Sequence, residues 1–241
     1  MIQKYKKSDH HIRAVIYDFD GTFYYARRLR IWLLIKLIKS AISSPIQTYR
    51  ALRIIQTYRN ILEEIRYDEK VLSSTVEEHI HMKLTARKLK STIDTVEPII
   101  TEWMEKQASN MIPHCIRKKT LQFIQRMHES QIKQGIYSDY PAIEKLKSIQ
   151  MANHFHAVVW SGEQSVLSYK PSPKGFLKTA ELLDCPPDEI LYIGDRAEVD
   201  GQGAHQAGMH FTHVKKLTAS IIALAKSDPQ LCLNQLAGLA E

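Results

Sequence analysis

Val15-Ile16-Tyr17-Asp18-Phe19-Asp20-Gly21-Thr22 decides how the rest of the chain is read. Three apolar or aromatic residues predict a buried strand, and two carboxylates at i and i+2 follow, with a glycine turn behind them. Strand alternation points Asp18 and Asp20 the same way, toward one reaction centre past the strand's C-terminal end. Ligands bind at that end of open parallel α/β sheets. Two carboxylates held together repel, and a divalent cation relieves them; oxygen-rich sites favour Mg²⁺ or Ca²⁺. Taken alone, the stretch also reads as a strand running into an Asx-type turn.

Three later segments narrow the choice. Gly135-Ile136-Tyr137-Ser138-Asp139 is another short strand, ending in a hydroxyl. Tyr169-Lys170-Pro171-Ser172-Pro173 places a lysine beside a rigid turn that opens a helix. Ile190-Leu191-Tyr192-Ile193-Gly194-Asp195 is a strand ending in Gly-Asp, with Asp200 five residues later. In this order, at strand ends and turns, the four segments resemble the motifs of the haloacid dehalogenase superfamily of aspartate-nucleophile hydrolases. The resemblance covers roughly the first two dozen residues and everything after about residue 112.

That resemblance implies phosphoryl transfer through an aspartyl-phosphate. Asp18 is then the nucleophile, and Asp20 the acid that protonates the leaving oxygen and afterwards the base that activates water. Ser138, Lys170 and the backbone N–H of Asp139 are expected to bind the phosphoryl oxygens. Mg²⁺ is the implied cofactor, held by Asp18, the backbone carbonyl of Asp20, and Asp195. Asp200 either orients a metal-bound water or pairs with Lys170. The branch that cleaves carbon–halogen bonds lacks an acid at the Asp20 position, so a phosphatase acting on a small phosphorylated metabolite is favoured. A phosphomutase or other phosphotransferase remains open, as does a non-catalytic regulator that binds an anion or membrane. The sequence departs from the commonest family pattern after Asp-Gly-Thr. Phe23-Tyr24-Tyr25 and then Arg27-Arg28 stand there. The aromatics are expected to pack the hinge of the inserted domain, with Arg27 and Arg28 as candidate specificity residues.

Between the first two motifs the pattern changes to long helical periods. Helices are expected from about 27 to 43, from 45 to about 65, from a start at Ser74-Thr75-Val76-Glu77, and from 95 to 109. Ser44-Pro45-Ile46-Gln47 supplies an N-cap serine and an N1 proline. From Pro113 the rhythm alternates helix and strand, ending in a strand over 209–214, which implies a parallel sheet with helices on both faces. The fold class is therefore α/β: a Rossmann-like doubly wound parallel core, 1–25 and 112–241, with an inserted all-helical cap, 26–111.

Composition bounds the rest. The chain has 241 residues, 44% hydrophobic and 24% charged, as in an ordinary globular protein. No stretch reaches the ~18 apolar residues a membrane span needs, and the polar N-terminus shows no secretory signal. Three dispersed cysteines fit neither a disulfide framework nor a zinc site, and point to a cytoplasmic, reducing setting. The net charge is +7, and Tyr25–Leu62 alone carries eight Lys or Arg and no acid. Such a patch attracts anions, though no nucleic-acid motif accompanies it. The first helix divides into a basic face, with Arg28, Trp32, Lys36 and Lys39, and an apolar face, with Ile31, Leu34, Ile35, Ile38 and Ile42. The apolar face is expected to pack against the other cap helices. Peripheral contact with anionic lipid is the sharper alternative, and recognition of a second anionic group on the substrate a third.

Overall fold

The computed structural model describes residues 11–66 and 80–239. Five strands form one parallel sheet: β1 Ala14–Tyr17, β2 Lys133–Ser138, β3 Ala157–Trp160, β4 Ile190–Gly194 and β5 His210–His213. Their spatial order is β3-β2-β1-β4-β5, with all four pairings parallel. β1 sits in the middle with every side chain buried, as expected of a strand covered on both faces. One core packs Val15, Tyr17, Phe123 and Ile193 on one face. A second packs Ile16, Tyr137, Phe176 and Tyr192 on the other. The doubly wound α/β core read from the sequence is the one observed.

Between β1 and β2 lies a helical insertion. α1 spans Ala26–Ser43 and α2 spans Pro45–Arg66, the break falling at Ser44-Pro45 as the capping signal requires. α3 spans Ile80–Lys88; the expected start at Ser74 lies outside the described residues. The fourth expected helix is longer than read. It begins with α4, Ile93–Ile100, passes through six π-helical residues, Thr101–Lys106, and ends in α5, Gln107–Met111. Pro98 is inside α4, where it removes one N–H from the ladder.

On the core side, α6 Lys118–Glu129, α7 Ile143–Ser148, α8 Lys174–Leu182 and α9 Gln202–Gln206 alternate with the strands. The chain then adds α10 Ala219–Ser227 and α11 Pro229–Ala237, which the sequence reading left out. Their caps were in plain view. The Thr218 hydroxyl accepts from Ile221 N and the Asp228 carboxylate from Leu231 N, with Pro229 at the first helical position. Cys232 and Leu233 from α11 are fully buried in the core beneath β1.

α1 corrects one expectation outright. Its apolar face is not buried against the insertion. Ile31, Leu34 and Ile35 are exposed, Ile38 is 58% exposed and Ile42 84%, while only Leu29 and Leu37 are buried. Ile46, Tyr49 and Leu52 extend this apolar surface onto α2. The physical reason is the position of α1 at the margin of the insertion, packed on α2 and α5 along a narrow seam.

Candidate active site

β1 delivers Asp18 to the sheet's C-terminal edge, where Asp18 N donates to Ile193 O of β4 at 2.9 Å. The loop behind it is braced from α6 and its approach. Arg117 Nε donates to Gly21 O at 2.8 Å, and Thr120 Oγ1 to Thr22 O at 3.0 Å. Gly21 has a φ of +95°, and a Cβ there would fall 2.0 Å from Asp195 Oδ2. Glycine is therefore what lets the β1 and β4 loops close on each other. The Thr22 hydroxyl donates to Asp18 Oδ2 at 3.2 Å and fixes the carboxylate's rotation.

Lys170 is the hub of the site. Its ammonium is 1% exposed and donates to Asp18 Oδ1 at 2.7 Å, Asp200 Oδ1 at 2.9 Å and the Tyr192 hydroxyl at 2.7 Å. Three donors thus meet three acceptors, the condition under which a buried charge is tolerated. Burial by itself would lower its pKa, but Asp18 and Asp200 keep it well above the ordinary lysine value. Asp200 also accepts, through Oδ2, from the backbone N–H groups of Asp195 and Arg196 at 3.2 and 3.0 Å. The fourth motif is thereby stapled to the third.

Asp18, Asp195 and Asp200 each bring a carboxylate oxygen within 4.8 Å of the others. Burial pushes the Asp18 carboxyl well up; Lys170 opposes this, while Asp200 and Asp195 add to it. Asp195 is pushed up to about 6 by burial and by Asp200. Three close carboxylates against one ammonium leave a deficit of positive charge. The donor set is all oxygen, which suits Mg²⁺, so the residues present fit the implied ion.

The Asp20 carboxylate stands apart from that cluster. Lys145 Nζ, on α7, donates to its two oxygens at 2.9 and 3.0 Å, and the Tyr24 hydroxyl donates to Oδ1 as well. Lys145 is 5% exposed, and the sequence reading did not single it out. A lysine on a six-residue helix reads as a surface charge unless its partner is known. Tyr24 shows why the aromatic run after Thr22 is unusual. Phe23 is buried and stacks on Phe19, as expected of packing residues, while Tyr24 reaches the Asp20 carboxylate. Ser138 is buried at the end of β2, its hydroxyl accepting from Tyr140 N at 3.4 Å.

Asp139 turned out to be held by the insertion. Its Oδ2 pairs with Arg66 of α2 at 2.9 Å, and its Oδ1 accepts from the Ser161 hydroxyl and Lys170 N. Burial would raise this carboxyl, but Arg66 and Lys170 outweigh burial and hold it below the usual range. Arg66 is 1% exposed and also donates to Lys170 O. Arg196 adds a second link, to Glu63 of α2 at 3.0 Å. Neither Arg66 nor Glu63 was anticipated, because their partners lie more than a hundred residues away for Lys170 and Arg196.

Above this floor is a cavity of about 650 Å³. Asp18, Asp20, Ser138, Asp139, Lys170, Asp195 and Asp200 all line it, so every expected site residue of the core converges there. Arg27 and Arg28 do not; Arg28 lies over the Tyr25 ring at 4.6 Å, and Arg30 and Arg59 occupy the wall instead.

The comparisons agree with this geometry. Residues 12–208 match the family of haloacid dehalogenase-like hydrolases. The glyceraldehyde 3-phosphate phosphatase of Methanopyrus kandleri is 26% identical over 208 residues, covering 85% of this chain and 84% of that one. Among solved structures, a HAD phosphatase from Thermococcus onnurineus is similar with a TM-score of 0.52 and 22% identity, covering 84% and 86% of the two chains. The HAD-hydrolase YfnB of Bacillus subtilis, solved bound to magnesium, reaches 0.56 at 16% identity, covering 84% and 88%. A match over that length, with the four motifs meeting at one sheet edge, shows that the chain belongs to the haloacid dehalogenase-like hydrolases.

Proposed function

We propose that the protein is a Mg²⁺-dependent phosphatase acting on a phosphomonoester through an aspartyl-phosphate on Asp18, with residues 26–111 as its cap and 1–25 and 112–241 as its catalytic core. The observation that carries this reading is the division of labour between the two carboxylates. Asp18 is gripped by Lys170 beside Asp195, and Asp20 by Lys145 and Tyr24. In this reading Asp18 attacks and Asp20 moves a proton.

In the first half, an Asp18 oxygen bonds to phosphorus as the ester P–O bond breaks. Asp20 gives its proton to the departing oxygen. In the second half, Asp20 takes a proton from water, whose oxygen attacks phosphorus and releases the Asp18 carboxylate. One water is consumed, and an alcohol and inorganic phosphate are formed. Lys170 neutralises charge on the phosphoryl oxygens, and the Ser138 hydroxyl donates to one of them. Such reactions depend on positioning and charge stabilisation, which the Lys170 network supplies without reorganisation. Mg²⁺, held by Asp18, Asp195 and the Asp20 carbonyl with Asp200 nearby, supplies further charge neutralisation when bound.

Asp20 favours phosphoryl over carbon–halogen chemistry, and the similarity to a phosphatase over most of both chains points the same way. Three free, buried cysteines suit a reducing, cytoplasmic setting, and among the described residues no helix is long and apolar enough to cross a membrane. The test is phosphate release from a panel of phosphomonoesters with Mg²⁺ and with chelator. Release that needs Mg²⁺ supports the reading; no release from any ester, with Mg²⁺ present, refutes it.

A further inference from the structure

Above its polar base the cavity over Asp18 is walled mainly by apolar side chains, with Arg30, Arg59 and Asn60 set among them. Leu29, Leu33 and Leu37 from α1, with Leu52 and Ile55 from α2 and Trp103 from the π-helical turn, form its upper wall. Of the charged groups in the lining, Arg66 is committed to Asp139 and Arg196 to Glu63, which leaves Arg30 and Arg59. The Tyr24 hydroxyl is spent on Asp20. A polyol leaving group laid along the leucines would lose water from its hydroxyls, and each hydroxyl left there without a partner weakens binding. A hydrocarbon chain would lose nothing. The volume, about 650 Å³, lies within the ~300–1,000 Å³ of sites that enclose a sizeable ligand.

The mouth of the cavity gives a second, independent observation. Leu34 and Leu52 belong to its lining and are 51% and 40% exposed. They continue the wall outward onto the uncovered apolar face of Ile31, Ile35, Ile38 and Ile42. That surface is flanked by the acid-free basic stretch of α1 and α2. Arg30 and Arg59, in the wall, form no ion pair among the described residues. An apolar patch ringed by cations complements a molecule, or an assembly of molecules, with hydrocarbon tails and anionic heads.

We infer that the cap cavity selects an amphiphilic phosphomonoester, with the phosphate on the Asp18–Lys170 floor and a hydrocarbon chain as leaving group along the α1–α2 wall. The inference rests on the phosphatase reading above and names the substrate class of that site. Leu33 and Leu52 are binding residues for the chain; the bond broken is still the phosphate ester bond.

The test is a series of ethyl, butyl, hexyl, octyl and decyl phosphates, each below its micellar concentration, with Mg²⁺ and wild-type protein. KM is expected to fall about fourfold per added methylene while the chain stays within the wall, the equivalent of ~0.8 kcal/mol per buried methylene. Leu33→Gln and Leu52→Gln are expected to cut the preference for octyl over ethyl phosphate at least ~10-fold, and the wild-type series stands even if a variant fails to fold. Hydrolysis of ethyl phosphate with a KM that is flat or rises along the series overturns the inference and leaves the phosphatase reading intact. Hydrolysis of no ester removes both. Dodecyl phosphate carried in anionic vesicles then separates the sources. Faster turnover than from solution assigns the chain to a membrane, and equal turnover assigns it to dissolved monomer; either outcome upholds the chain preference.

Discussion

The floor at the sheet edge and the α1–α2 wall above it are built on opposite principles. On the floor the buried charges are tied by directional bonds: Lys170 alone joins Asp18, Asp200 and Tyr192. On the wall Leu29 and Leu37 are buried, but Leu34 and Leu52 are exposed and Ile38 and Ile42 face outward. The floor is preorganised for one reaction, whereas the wall is a surface waiting for cover. A chemistry that must not vary is held by directional, buried hydrogen bonds. Recognition that can differ between relatives is left to non-directional apolar area.

The comparison predicts that damage to the floor is large and damage to the wall selective. Asp18→Asn should lower turnover at least ~10⁴-fold with the fold intact, the scale seen when a nucleophile is removed; retained turnover in a folded variant would break the comparison at its centre. Lys170→Met should destabilise the protein by about 3–5 kcal/mol, because it strands two buried carboxylates. Denaturant unfolding checks this, and a loss under ~1 kcal/mol would mean that the network is looser than its distances indicate. Lys145→Met frees the Asp20 carboxylate and should lower kcat by ~10–10²-fold for an alkyl ester, below the ~10²–10⁴ of complete acid–base loss. The drop should be smaller for an aryl ester, whose oxygen leaves without a proton. Equal drops would detach Lys145 from proton transfer.

Acidity offers a finer test. The Asp195 carboxyl is raised to about 6 in the folded protein, against ~3.9 when unfolded. The folded state therefore binds more protons between these values. That contribution to stability is complete below ~4 and is lost as pH rises through about 6. The buried His81, lowered to about 4 from the ordinary 6.5, acts in the opposite sense, its contribution being lost as pH falls. The difference between wild type and Asp195→Asn isolates the first effect. Without metal, Tm of wild type relative to the variant should fall from pH 5 to pH 7.5, and Mg²⁺ should restore it at pH 7.5. A difference that stays constant across this range would deny the crowding of carboxylates. The smallest effect is expected at the wall's outer rim. Ile38→Gln and Ile42→Gln should change stability by no more than ~0.5 kcal/mol in denaturant unfolding, and a larger loss would mean that this face is covered.

The same contrast explains what the sequence disclosed. Asp18, Asp20, Lys170, Asp195 and Asp200 were legible because each stands, at a strand end or turn, in a segment that resembles a motif of the family. They converge as expected, with Asp200 contacting Lys170 directly. Lys145 and Arg66 were not legible: each acts only through a partner brought close by the fold, 125 and 73 residues away in the chain for Asp20 and Asp139 respectively. The burial of α1 was misread for a related reason. Periodicity shows that a helix has an apolar face, but only packing decides what covers it. α10 and α11 are different, since Thr218 and the Asp228-Pro229 pair are local capping signals in the sequence itself.

If Asp18 carries the phosphoryl group, quenching the wild-type protein with acid during turnover of a phosphomonoester traps it there, and mapping the phosphorylated peptide locates it. Phosphate is expected on Asp18, formed only with Mg²⁺, lost in Asp18→Asn, and accumulated when Asp20→Asn is supplied with an activated aryl phosphate. Phosphate mapped to another residue, or hydrolysis that proceeds at wild-type rate in Asp18→Asn, would contradict this assignment.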